Sequence, residues 1–221
     1  MKKTLLLLIM AIMLVLPGGA SAQLSPGDFV DIRGHWAEQN IAAVSSLGLM
    51  NGIGTTYQGF RIFSPEGTVS RAQLANVLQR TFQLDYGMLR FIKQPLASDY
   101  YRDVDDAAWY ADGVLMCTIN NIFEKTGNFS PDSSVSRIEV ARSIYRSFNA
   151  KGISVPMIML MPIYEDTSSL SQEDINAITF VSNTGIMRGN NNCFRPEQNM
   201  TRAELATVLN RCCALVRINI Q

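Results

Sequence analysis

Three arginines stand in one recurring context: Arg71 follows Val69-Ser70, Arg137 follows Val135-Ser136 and Arg202 follows Met200-Thr201. A guanidinium offers a planar fork of N–H donors that matches a carboxylate or phosphate bidentately, which a lysine ammonium does not. Ser70-Arg-Ala-Gln73, Ser136-Arg-Ile-Glu139 and Thr201-Arg-Ala-Glu204 each set a hydroxyl three places before a Gln or Glu, the pattern of a helix capping box. Each arginine is therefore expected in a first helical turn, beside unpaired N–H groups and the positive end of the helix dipole. A cation there costs about 0.3–1 kcal/mol unless an anion joins it. Two readings stay open: contact with an anionic ligand, or pairing with a neighbouring acid such as Glu66, Asp132 or Glu197. The threefold repetition of the placement favours ligand contact in at least one copy.

Other chemistries find less support. The acid pairs Asp105/Asp106 and Glu173/Asp174 have the residue type of glycosidases, which need two carboxylates about 5–10 Å apart across a cleft. Adjacent acids at helix starts are more simply explained by the dipole. The sequence has no GxSxG, catalytic Cys/His signature or phosphate loop, so no enzyme is expected. His35 is the only histidine and no CxxC pair exists, so neither a metal nor a cofactor is expected. His35 reads as a surface residue at a helix entry. Cys193 precedes the last expected helix and Cys212 and Cys213 close it. A bridge would have to join ends about 15 Å apart for a ten-residue helix, so a Cys193 disulfide to Cys212 or Cys213 stands against free thiols, with Cys117 apart.

The elements that position these residues begin after an export signal. Met1 to Ala22 carries Lys2 and Lys3, an apolar run from Leu5 to Leu16, and the small-residue site Ala20-Ser21-Ala22. That run is shorter than the roughly 20 residues of a membrane helix, and no later stretch comes closer, so no membrane span is expected. Cleavage would leave a mature chain from Gln23. The 19 basic and 19 acidic residues balance, and loss of Lys2 and Lys3 leaves two net negative charges. No basic field remains to attract nucleic acid.

One string recurs at intervals of 66 and 65 residues: Phe63-Ser-Pro65, Phe129-Ser-Pro131 and Phe194-Arg-Pro196, each running into its arginine. Helices are expected over Arg71 to Phe82, Arg137 to Phe148 and Arg202 to Cys213, stapled by Val69/Leu74, Val135/Val140 and Met200/Leu205. Upstream of each lies a second amphipathic segment: Trp36 to Leu47, Trp109 to Asn120, and about Ser171 to Asn183. An aromatic-x-Asp triplet precedes each, ending on Asp31, Asp103 and Asp166. The expected fold is all-α: three helix-loop-helix repeats, 23–84, 85–150 and 151–221, packed as a pseudo-threefold bundle after the cleaved signal at 1–22. A helix pair of this size cannot bury its faces alone, so three pairs should pack around a shared axis. Between repeats two and three, Pro156-Met-Ile-Met-Leu-Met-Pro162 reads as a connector laid over the bundle or as a surface for an apolar partner.

These residues resemble the S-layer homology family. Phe29-Val-Asp31-Ile, His35-Trp36-Ala37, Gly48-Leu-Met-Asn-Gly52, Phe63-Ser-Pro65 and Val69-Ser70-Arg71-Ala72-Gln73 are similar to a nearly complete motif, and Met200-Thr201-Arg202-Ala203-Glu204 to its second half. The likeness spans about Gln23 to Cys213, with nothing appended to the triplet. It implies a three-pronged helical fold whose inter-repeat grooves bind secondary cell wall polymer, an anionic and often pyruvylated glycan linked to peptidoglycan. It further implies a secreted protein at the cell wall and surface. The family's motif arginine falls on Arg71, Arg137 and Arg202, its Asp and Trp on Asp31, Trp36, Asp103 and Trp109, and its loop glycine on Gly52 and Gly189. Trp36 and Trp109 would stack on a sugar or belong to the core. Repeat two has Asn121 and Lys125 where repeat one has Gly48 and Gly52, with Gly127 as a substitute, and repeat three lacks the tryptophan. The grooves are then unequal, with the first repeat contributing the most competent site and Arg71→Ala expected to abolish retention. The alternative is a degenerate triplet that binds another envelope protein as a structural component, without glycan.

Overall fold

The computed structural model describes residues 28–220 apart from 57, 88, 89, 126, 158, 159 and 161–163, and from 217 onward only the backbone. The expected signal at 1–22 lies outside the described residues, as does most of the Met-rich connector. The elements in chain order are α1 (Glu38–Ser46), β1 (Gly54–Thr55), β2 (Arg61–Ile62), α2 (Arg71–Phe82), α3 (Ala111–Ile119), α4 (Arg137–Ala150), α5 (Gln172–Asn183) and α6 (Arg202–Ile220), with a 3₁₀ turn at Ala97–Asp99. The protein is mostly helical, as the repeat pattern requires, and β1 and β2 form a small antiparallel hairpin within the first loop.

The second helix of each repeat starts where the capping pattern sets it. The Ser70 and Ser136 hydroxyls accept from the backbone N–H of Gln73 and Glu139, whose side chains reach back to the cap. Thr201 and Glu204 make the same reciprocal pair at 2.9 and 3.2 Å. The staple residues Val69, Val135, Met200, Leu74, Val140 and Leu205 are all buried. The first helices start less sharply. Neither α1 nor α3 has a side-chain cap, so each begins two residues later than the tryptophan, behind a turn. Helix α6 runs beyond Cys213 because Ala214-Leu-Val-Arg-Ile supplies no glycine or proline to stop it.

The three helix pairs that pack around the axis are formed across repeat boundaries, not within repeats. Helix α2 packs on α3, α4 on α5 and α6 on α1, so each prong joins the second helix of one repeat to the first helix of the next, and α6 on α1 closes the ring. The reason lies at the axis. Val69 N–H donates to Met200 C=O, Met200 N–H to Val135 C=O and Val135 N–H to Val69 C=O, at 2.9–3.0 Å, a closed triangle of backbone hydrogen bonds. Each second helix thus starts at the axis and runs out beside its neighbour.

Candidate functional site

The Phe-x-Pro turns build the sockets for the arginines. In each turn the middle residue is left-handed, Ser64, Ser130 and Arg195 at φ 57–58°. A strained turn of this kind needs fastening, and the aspartates supply it. Asp31 accepts from Phe63 and Ser64 N–H, at 2.9 and 2.6 Å. Asp103 accepts from Phe129 and Ser130 N–H, both at 2.7 Å. Asp166 does the same for Phe194 and Arg195. For Asp103 and Asp166 partial burial opposes ionisation, but the donated N–H bonds outweigh it and hold both carboxyls below the ordinary value.

Each turn presents its carbonyls to the helix start of the preceding repeat. Arg71 and Ala72 N–H donate to Ser133 and Pro131 C=O, Arg137 and Ile138 N–H to Gln198 and Pro196 C=O, and Arg202 and Ala203 N–H to Gly67 and Pro65 C=O. The first-turn N–H groups that the sequence left unpaired are therefore satisfied by the neighbouring repeat, which removes the argument that they await an anion. The arginines follow the same rule. Nε of Arg71, Arg137 and Arg202 donates to Phe129, Phe194 and Phe63 C=O at 2.7, 2.9 and 2.8 Å. Each guanidinium also lies over that phenylalanine ring, at 4.9, 5.1 and 4.5 Å from the centroid.

Their outer nitrogens differ, and the differences make three unequal grooves. Arg71 Nη1 is 2.6 Å from Glu139, and Arg137 Nη1 is 3.8 Å from Glu204. The acids that pair are thus at the third helical position of the next repeat; Glu66 pairs with His35 instead, at 2.8 Å. Arg202 has no carboxylate within ion-pair distance among the described residues, because the residue in the corresponding place is Gln73. Its Nη2 donates to Asn51 C=O at 2.7 Å, and the residue is only 5% exposed. Burial lowers its pKa, with Asp31 acting in the opposite sense, yet an arginine stays charged at any ordinary pH.

A cavity of about 400 Å³ opens beside Arg202, lined by the 49–53 loop, Gln73, Asn76, Val77, Arg80 and Trp109. Both ionisable side chains in that lining are basic. Trp109 is 67% exposed and Trp36 63% exposed, so both tryptophans stand outside the core. Asn76 fixes the Trp109 backbone through its amide, 3.3 Å from the carbonyl. The equivalent cavity around Arg71, about 240 Å³, contains Glu124, Glu139, Arg142 and Arg146. There Arg142 chelates Asp174, and Arg146 bridges Glu124 and Glu173.

At Gly52 and Gly189 there is no room for a side chain. A side chain on Gly52 would meet Ile62 O at 2.6 Å, and one on Gly189 would collide with Tyr164 and Cys193 O. Gly127 pairs with Tyr101 as Arg61 pairs with Phe29, so it occupies the place of Arg61 and does not replace Gly52. None of the four cysteines is in a disulfide; burial pushes the Cys117 and Cys212 thiols far up. His35 accepts from Ala37 N–H through Nδ1 at the entry to α1. The sequence reading missed Gln73, Arg80 and Asn76 as groove residues. Gln73 was legible as the one uncharged residue among Gln73, Glu139 and Glu204.

The S-layer homology domain model matches residues 28–75, 100–141 and 163–206, more than half of the chain. The protein belongs to the S-layer homology family. The chain is 27% identical over 183 residues to an amylopullulanase of Thermoanaerobacterium thermosulfurigenes, covering 82% of this chain and 9% of that protein. It is 24% identical over 204 residues to the surface-layer 125 kDa protein of Lysinibacillus sphaericus, covering 89% of this chain and 15% of that one. With the cellulosome-anchoring protein of Acetivibrio thermocellus it shares 26% identity over 153 residues, 68% of this chain and 33% of that protein. The chain spans a minor part of each relative. Domains of this family are cell-surface anchoring modules. No helix among the described residues is long and apolar enough to cross a membrane.

Proposed function

We infer that this chain is exported by its 1–22 signal and holds itself on the cell wall by non-covalent binding of an anionic, wall-linked glycan in the groove beside Arg202. The observation that supports this is a buried guanidinium with no carboxylate partner among the described residues, opening on a cavity whose other charged side chain, Arg80, is also basic. A desolvated charge of this kind gains more from an incoming anion than a surface charge does. Trp109 gives the same groove an exposed aromatic face for a sugar ring. In the groove beside Arg71 the anion's place is filled by Glu139. A peptidoglycan-linked secondary polymer bearing carboxylate or ketal acid groups has the required chemistry.

The test is co-sedimentation of the full chain with wall sacculi, comparing Trp109→Ala and Arg80→Ala, both at exposed positions, with the unaltered protein. The reading expects each to weaken retention while the far-ultraviolet spectrum stays the same. Retention unaffected by both would reject this groove. A second reading, attachment to another envelope protein without glycan, is favoured by exposed Phe91, Ile92 and Leu96 on the connector between α2 and α3. It expects retention that survives removal of the polymer and is lost with these three side chains.

A further inference from the structure

Position three of each second helix faces the arginine of the preceding repeat, and its residue differs among the three grooves. Glu139 shows how the position works. One carboxylate oxygen closes the capping box on Ser136 N–H at 2.8 Å, and the other takes Arg71 Nη1 at 2.6 Å. Gln73 spends its only carbonyl oxygen on the same capping bond, to Ser70 N–H at 3.3 Å. Its other terminal atom is an amide nitrogen, a donor, so it brings no second acceptor oxygen to the cavity it shares with Arg202. Glu204 is the intermediate case, 3.8 Å from Arg137.

We propose that Gln73 is the specificity-determining residue of this triplet: by standing where the other repeats carry Glu139 and Glu204, it leaves the Arg202 groove open to one carboxylate-bearing ligand. The acids at the other two positions act as built-in competitors for the same kind of group. The chain then takes one anionic group at the Arg202 groove in preference to three equivalent ones. This rests on the reading that the groove binds an anion, and extends it to which groove binds and why. The exchange is conservative for folding. Gln73→Glu installs the capping residue that the other two repeats use, and Glu139→Gln installs the one that repeat one uses, so neither variant removes a cap.

The experiment uses arginine Nε–Hε resonances of the full chain. The Nε–H of both Arg71 and Arg202 is held by a phenylalanine carbonyl, which slows exchange and makes the signals observable. Titration with sodium pyruvate, and separately with polymer released from sacculi, is followed in the unaltered protein, Gln73→Glu and Glu139→Gln. The expected result is a shift at Arg202 and none at Arg71 in the unaltered protein. Gln73→Glu should weaken the Arg202 response by about tenfold or more, since a fixed like charge now opposes the ligand. Glu139→Gln should bring Arg71 into response. Equal responses at Arg71 and Arg202, or Gln73→Glu within about twofold of the unaltered protein, overturn the proposal. An Arg202 response to pyruvate that obeys both variants, without any polymer or wall binding, would instead uphold the role of Gln73 and reject the glycan reading.

Discussion

Gly113 lies within α3, where replacing glycine by alanine ordinarily stabilises a helix by about 1 kcal/mol. Here the opposite sign is expected. A Cβ on Gly113 would sit 3.0 Å from both Cα and N of Asn76 and would collide with the Asn76 side-chain oxygen. Helix α2 carries Asn76 and belongs to the first repeat, whereas α3 opens the second, so this contact belongs to the pairing between repeats. Relief requires α2 and α3 to separate, an overpacking cost of about 1–3 kcal/mol. It also displaces Asn76, which is buried and holds Trp109 C=O, for about 1 kcal/mol more. Against the helical gain, Gly113→Ala should lose roughly 2 kcal/mol, or about 4–8 °C in Tm for a chain of this size. Urea denaturation followed by circular dichroism measures it. Because two of the close atoms are backbone, adding Asn76→Ala should recover only part of the loss. Stabilisation by Gly113→Ala of about 1 kcal/mol would mean that α3 does not lie against α2.

Three further outcomes follow from the same geometry. Asp103 and Asp166 have pKa values lowered from the ordinary 3.8 by the N–H groups they accept, against opposing burial. A depressed carboxyl gives stability that is present above its unfolded pKa and lost as pH falls through the folded one. Urea midpoints should therefore fall below about pH 4, and Asp103→Asn should flatten that fall; an unchanged acid limb would contradict the clamp. Val135→Pro removes the N–H that closes the axial triangle onto Val69, and should cost about 3 kcal/mol or more and lower the cooperativity of unfolding; native-like stability would contradict the central role of that ring. Thiol titration of the folded protein should find Cys117 and Cys212 unreactive, both fully buried with raised pKa; fast modification of all four cysteines would contradict the packing.

The helix starts were legible because capping is local: Ser70 and Gln73, or Ser136 and Glu139, carry their instruction within four residues. The aromatic-x-Asp triplets were legible as repeating features, but their task was not. Asp31 meets Phe63 N–H more than thirty positions away, and nothing local in either segment specifies that meeting. The same holds for the arginines. Sequence placed Arg71, Arg137 and Arg202 at helix N-termini correctly and then counted the first-turn N–H groups as unpaired, whereas Pro65, Pro131 and Pro196 carbonyls from the next repeat satisfy them. The candidate acids near each arginine in the chain were the wrong ones for the same reason, since Glu139 reaches Arg71 across a repeat boundary. What distinguishes the grooves was in plain sight as one glutamine among two glutamates. Its meaning required knowing that position three of one helix and position one of another share a cavity.

The most direct test of the account is a binding isotherm of the full chain on wall sacculi, taken before and after the secondary polymer is stripped. Saturable binding that disappears with the polymer, and is competed by added anionic polymer fragments, is the predicted result. Equal binding to stripped and untreated walls, by protein shown to be folded, would contradict glycan anchoring and leave a protein or peptidoglycan partner as the attachment.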